Sequence, residues 1–486
     1  MKRIKEGVLG LGERKVPATT ATQLPDNIER PFWSLKESAS ASDDFFDCYV
    51  AFKEFGCHEY FWDWQDRKLD ELLVKKLIHA YRPFFAENPI GKKCFITFRT
   101  DGGSLETLGR IYMSIISSND FSSGQNMFSP PLFEVSHTAS SSDELLHFAT
   151  LYNETVSMAT ERLGHECSPK HLSVIPTHNF DGKWYTALNK YLVSSQNSFR
   201  NRMELIRPLI PRAGIAERMG FIASTLATKR ALASYSSFEK IAGVEVSPIV
   251  DAGPLLFRGG LSPYLVKEFI ENYPGARTAT ITPAFRYSYE LEDAKEAINY
   301  LNRHLTKNSA EEYSREDLAR LAAIENVFTK SYQAAVEALP FPDYSAELMR
   351  MKKTVDPRLA RTFSLYSLGI PPELAGTGKA LAECIRQKMV KDLERFYPLI
   401  KQDLSAAGRL LNRENLKFLA KTNPAWAAFV KDVQLVEDYT DSTLGPGSTD
   451  DFLHRNHTSN VFHCQSSNRG FTADLIAAAK LRRCVG

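Results

Sequence analysis

The sequence predicts an α/β protein built as a (β/α)8 TIM-type barrel with additional C-terminal helices. Short apolar, β-branched runs recur along the first part of the chain, a helical pattern follows nearly every one, and the remainder is mostly helical. Seven such runs, evenly spaced, are too many for an ordinary nucleotide-binding sheet, which favours a barrel. A chain of 486 residues is long enough for one large barrel with extensions.

In chain order, the expected strands are residues 59–65 (EYFWDWQ), 93–99 (KCFITFR), 131–137 (PLFEVSH), 171–178 (HLSVIPTH), 204–212 (ELIRPLIPR), 244–251 (VEVSPIVD) and 277–283 (RTATITP). Helical stretches between them include 70–81, 142–162, 216–233 and 262–272, and an eighth strand is expected near 338–344. The helical remainder covers 315–338, 379–397, 399–411 and 413–420. Residues 438–459, rich in Asp, Ser, Thr, Gly and Asn, read as a loop. The tail 473–484 reads as a short helix ending in basic residues, which suits the negative end of its dipole. The expected division is an N-terminal segment 1–50, a barrel 51–345, and a helical part 346–486 packed on it.

With 60 basic against 58 acidic residues the formal net charge is +2, which lacks the basic surplus of a nucleic-acid or acidic-membrane binder. Seven scattered cysteines without a CxxC pair suggest reduced thiols rather than disulfides or a zinc ribbon. No signal-peptide pattern and no apolar run of about 18 residues is present, so the expectation is a cytoplasmic protein.

In a parallel barrel the C-terminal strand ends converge on one mouth, where active sites lie. The expected strand ends and following loops bring Arg99, Arg212, Arg258 and Arg286 there, a set suited to a small substrate with carboxylate or phosphate groups. Each arginine could instead pair with a local carboxylate. His137, His178 and Asp251, from three strands, could hold a divalent metal, in that case a transition metal, or act as an acid–base set. Asp181 and Glu217, just past two of the strands, are alternative metal ligands. The turn Arg258-Gly259-Gly260 before a helix can cradle an anion, although such a pair is more often a tight turn.

Several motifs occur in the order of a known family. QLPDN at 23–27, the acidic run at 59–67, FRG at 257–259, AFRY at 284–287 and above all PRLARTFSLYSLGIPPELAGTGKA at 357–380 resemble the archaeal-type phosphoenolpyruvate carboxylases. The resemblance covers about residues 20–486. It implies a barrel fold, a homotetramer, and carboxylation of phosphoenolpyruvate by bicarbonate with Mg²⁺ or Mn²⁺. It also marks departures: Leu24 stands where the family has a histidine, Asn179 and Gly214 where it has metal-binding carboxylates, and Ala346 where an arginine is expected. Three readings follow. The chain is a diverged enzyme with an altered mouth, an orthodox carboxylase whose metal ligands have shifted, or a non-catalytic structural or regulatory homologue.

Overall fold

A computed structural model describes residues 16–24, 31–34, 43–63, 72–101, 104–124, 134–163, 174–178, 184–199, 205–342, 344, 360–467 and 469–484. Its strands are β1 (Thr19–Thr22), β2 (Glu59–Asp63), β3 (Phe95–Asp101), β4 (Val135–Ala139), β5 (Val174–His178), β6 (Leu205–Ile206), β7 (Leu209–Ile210), β8 (Glu245–Val246), β9 (Ile249–Val250) and β10 (Thr278–Ile281). Eight of them form one parallel sheet in the order β5-β4-β3-β2-β1-β10-β9-β7, and β6 pairs with β8. The sheet is a barrel nearly closed at the seam where β5 lies beside β7.

β6 with β7, and β8 with β9, are the halves of two staves. Pro208 and Pro248 interrupt them, because proline brings no N–H to a ladder. The two staves still pair across the breaks: Ser247 N donates to Ile206 O and Ile249 N to Pro208 O, each at 2.9 Å. Helices follow the staves: α1 (Asp44–Lys53), α2 (Leu73–Ala80), α3 (Arg82–Glu87), α4 (Leu105–Gly124), α5 (Ser142–Leu163), α6 (Trp184–Phe199), α7 (Arg212–Met219), α8 (Phe221–Ala242), α9 (Val266–Asn272), α10 (Pro283–Tyr287) and α11 (Leu291–His304).

Alternation along the strands sorts the barrel interior into layers. At the floor, Arg207 is fully buried and donates to both carboxylate oxygens of Glu59, at 3.0 and 2.7 Å, and to Glu134 at 2.7 Å. Thr20 and Thr97 hydroxyls complete the shell of Glu59, at 2.5 and 2.6 Å. Above this charged floor Phe61, Ile175, Leu209 and Ile249 form a small apolar cluster. Polar strand ends lie above it.

The barrel therefore starts earlier than expected. Its first strand is Thr19–Thr22, inside the segment expected to precede it, and β10 closes the circle in place of residues 338–344. Threonine-rich TTAT carries no apolar run, which hid it. Tyr344 instead packs with Phe363, Val461 and Leu475 and donates to Gln465 Oε1 at 2.8 Å. The stretch 438–459 is mostly helix as well, because helices span Pro424–Thr440 and Thr449–Ser466. A capping box formed by Ser448 and Asp451 starts the second of these, so its polar residues are a helix start.

The helix expected over 216–233 is split at Gly220, where φ is +79° and a Cβ would sit 2.6 Å from the Tyr332 ring. Tyr332 belongs to α12 (Arg315–Ala338), which packs along α8 and is tied to it by a forked ion pair from Arg230 to Glu325 at 2.9 and 3.0 Å. A second apolar core joins α7, α8 and α12 to the C-terminal helices. In the PPEL segment, buried Glu373 accepts from Phe257 N at 3.1 Å and from the Tyr366 hydroxyl at 2.6 Å. That carboxylate fastens the C-terminal part to the loop after β9.

Candidate active site

At the mouth, β2 ends on Asp63, the register partner of Arg99, which lies two residues before the end of β3. Arg99 Nη1 lies 3.8 Å from Asp63 Oδ2, and its guanidinium sits 5.9 Å from the Phe61 ring centroid. Both side chains are about a third exposed, at 34% and 28%. Gln23 holds this corner: its Oε1 accepts from Asp63 N at 2.7 Å and its Nε2 donates to Asp44 at 3.0 Å. Gln23 and Asp63 lie inside the QLPDN and acidic-run motifs, where charge alone does not single them out.

Further round the rim, Asp251 follows β9 and is half-buried. Its Oδ1 accepts from the Thr280 hydroxyl at 2.8 Å, and Thr280 in turn accepts from Ala252 N at 3.1 Å. The loop that follows folds back on itself, with Gly253 N donating to Arg258 O and Leu261 N to Gly253 O, at 2.8 and 2.9 Å. Gly259, at φ +113°, could not carry a Cβ, which would meet the Ala252 methyl at 2.8 Å. Arg258 is half-buried on this loop. The rim thus presents one weakly held guanidinium, a second arginine, and the two carboxylates Asp63 and Asp251. Such a set can bind anionic oxygens, and its carboxylates can accept a proton or face a cation.

The other expected residues lie elsewhere. Arg212 is completely buried and gives Nε to the Tyr273 hydroxyl at 2.8 Å, Nη1 to Phe257 O at 3.0 Å, and Nη2 to Thr225 at 3.0 Å and Phe221 O at 3.3 Å. Arg286 is also buried, forked onto Asp47 at 2.7 and 3.1 Å with a further bond to Thr22 O at 2.6 Å. These are structural arginines of the kind that the local-pairing alternative described. A strand-end position had suggested exposure, but the short helices α7 and α10 turn both side chains into the protein.

His137 is placed away from the mouth, which corrects the expected His137/His178/Asp251 set. It shares strand parity with Val135 and Ala139, and its ring stacks on Phe148 of α5, with centroids 3.7 Å apart and planes 5° apart. Nδ1 lies 3.0 Å from the Thr100 hydroxyl, and Nε2 is buried without a hydrogen-bond partner. Burial pushes its pKa down to about 4, so the ring is neutral at ordinary pH. A strand-end rule ignores the alternation that sends every second side chain into the helix layer.

His178 ends β5, in register with Ala139. Asp181 and Asn179 lie outside the described residues, as does Ala346. Glu217 stands on α7 facing the C-terminal part, where Thr362 donates to its Oε2. Leu24 is 2% exposed and belongs to the main apolar core, and Gly214 lies within α7. Among the described residues no group of three His, Cys, Asp or Glu side chains could hold a metal ion. Asp63 and Asp251 are the carboxylates that the described rim offers a cation; Mg²⁺ is commonly held through one or two carboxylates, with waters and substrate oxygens completing its octahedron.

The architecture defines a (β/α)8-barrel protein whose mouth carries arginines and carboxylates. Comparison with known proteins places it more closely. The family model described as phosphoenolpyruvate carboxylase matches residues 16–341 and 344–486, and the chain belongs to that family. Similar curated proteins include the phosphoenolpyruvate carboxylase of Leuconostoc mesenteroides, 27% identical with 91% of this chain and 93% of the relative covered. That of Metallosphaera sedula is 28% identical over the same shares, and that of Methanospirillum hungatei 29% identical over 82% and 88%. Among the described residues, no helix is long and apolar enough to cross a membrane.

Proposed function

We propose that the barrel mouth binds a small substrate bearing carboxylate or phosphate groups, with phosphoenolpyruvate the first candidate from the family relationship. The observation that carries this reading is Arg99. Among the described residues its guanidinium has a 3.8 Å ion pair, a ring beneath it and no hydrogen bond. A guanidinium so placed offers a fork of N–H donors to an incoming oxyanion. Asp63 and Gln23 orient it, Arg258 is a second anion ligand, and Asp251 is a candidate base.

The site is altered relative to the archaeal-type pattern, and two positions support that. Leu24 fills core space where the pattern has a histidine, and Gly214 supplies no carboxylate. No step is assigned to a metal; Asp63 and Asp251 are the rim carboxylates that could face one. The reading is therefore an enzyme that retains anion recognition and has changed or weakened carboxylation. The homo-oligomer implied by the resemblance stands as a proposal that light scattering would check.

Calorimetric titration with phosphoenolpyruvate, alongside an assay for oxaloacetate from phosphoenolpyruvate, bicarbonate and Mg²⁺, tests this. Binding that Arg99→Gln weakens, with little turnover, is the expected result. Full carboxylase turnover would establish the orthodox reading instead. Absence of both binding and turnover would favour a non-catalytic homologue.

A further inference from the structure

Alternation along β3, β4 and β5 places a pair of hydroxyls beside Arg99. Arg99 is in register with Ser136, and Ser136 with Ile175. Paired residues of a parallel sheet project to the same face, and neighbouring strands lie about 4.8 Å apart. Ile175 belongs to the interior apolar cluster, so Arg99 and Ser136 face the barrel interior, as does Thr177 two residues beyond Ile175. The Ser136 hydroxyl therefore stands next to the stem of Arg99.

Other interior threonines give their hydroxyls to carboxylates: Thr20 and Thr97 to Glu59 at 2.5 and 2.6 Å, and Thr280 to Asp251 at 2.8 Å. The side chains of Ser136 and Thr177, 2% and 4% exposed, find only each other among the described residues, at a long 3.4 Å. Two hydroxyls bring two O–H donors, and a bond between them uses one. The second has no acceptor there, although buried polar groups are nearly always paired. Beside it the Arg99 guanidinium likewise makes no hydrogen bond among the described residues. Unused donors thus gather on one wall of the mouth.

We propose that Ser136 and Thr177 are specificity-determining residues, which together with Arg99 select a phosphate group over a carboxylate. The proposal rests on the reading of the mouth as a site for a small anion, and names the end of that anion which this wall receives. The guanidinium fork takes two oxygens in its own plane. A carboxylate has no further oxygen to offer. A phosphate group keeps a third, off that plane, and the spare hydroxyl proton of the pair meets it.

The test is calorimetric titration of the full chain with inorganic phosphate and with oxalate, for the wild type, Arg99→Gln and the double variant Ser136→Ala, Thr177→Val. Replacing both hydroxyls together strands no polar partner, so the melting temperature of the double variant should hold or rise. The wild type should bind both anions. The double variant should lose about tenfold in phosphate affinity, the loss of one hydrogen bond to a charged group, and keep its affinity for oxalate. Arg99→Gln should weaken both. Should the double variant fail to fold, the nearly isosteric Thr177→Val alone carries the comparison. Unchanged phosphate affinity, or an equal loss for both anions, would overturn the proposal. A wild type that binds oxalate but not phosphate would overturn it and leave the anion-binding mouth standing; one that binds neither would overturn both.

Discussion

Acidifying the protein should cost it stability through His137, and the cost can be worked out from its surroundings. The ring is buried against Phe148 and its pKa is held down to about 4, whereas an unfolded histidine titrates near 6.5. The folded value lies below the unfolded one, so the unfolded chain takes up the proton first. Stability from this group is therefore complete above about pH 6.5 and is lost as the pH falls toward the folded value of about 4. At pH 5 the loss amounts to about 2 kcal/mol.

Other groups titrate in the same window, so the measurement must be a difference. Urea unfolding followed by tryptophan fluorescence at pH 7 and pH 5, for the wild type and for His137→Leu, isolates the histidine. The variant forfeits the stacked ring at both pH values, and that cost cancels. The wild type should lose about 2 kcal/mol more than the variant between the two pH values. Equal losses would refute the assignment of His137 as a neutral packing residue. A shifted pH–rate profile with unchanged stability would return it to the catalytic mouth.

Asp47→Ala strands the buried Arg286 and removes the acceptor of the Tyr60 and Tyr287 hydroxyls, so chemical denaturation should show a loss of about 3–5 kcal/mol. Gly378→Ala should lower the melting temperature, because a Cβ there would lie 2.8 Å from Asp432 Cα where two helices cross; overpacking of this kind costs about 1–3 kcal/mol. Arg99→Gln should weaken phosphoenolpyruvate binding about tenfold or more and leave the melting temperature nearly unchanged, since its ion pair is long and partly exposed. A melting temperature that fell as far as that of Asp47→Ala would show Arg99 to be structural.

The barrel was legible because its strands are apolar, β-branched and followed by amphipathic helices, a pattern set by burial on both faces. β1 escaped because threonines build it: Thr20 bonds Glu59 in the interior and Thr19 bonds Asn302 outside, contacts that no local hydrophobic pattern announces. The GTG run at 376–378 was visible as a family motif, yet its reason is spatial. Asp432 accepts from Gly376 N at 3.1 Å and Lys379 N at 2.7 Å, and the glycines let the two helices touch. The site is less legible. Four arginines look alike in sequence, but whether a guanidinium is forked onto Asp47 or lies 3.8 Å from Asp63 is decided by residues far away in the chain. Parity along β4, rather than residue type, decided the place of His137.

The charged floor has a consequence for how the molecule comes together. Its participants, Glu59, Glu134 and Arg207, come from staves widely spaced along the chain, and Thr278 at the last stave adds a 3.4 Å contact to Arg207. A fragment ending before residue 207 would leave two carboxylates buried without their cation, and one beginning after residue 134 would bury the cation alone. Either piece should stay open or pair with its complement. Split halves expressed together should therefore reassemble where each half alone aggregates, which makes closure of this barrel an all-or-none event.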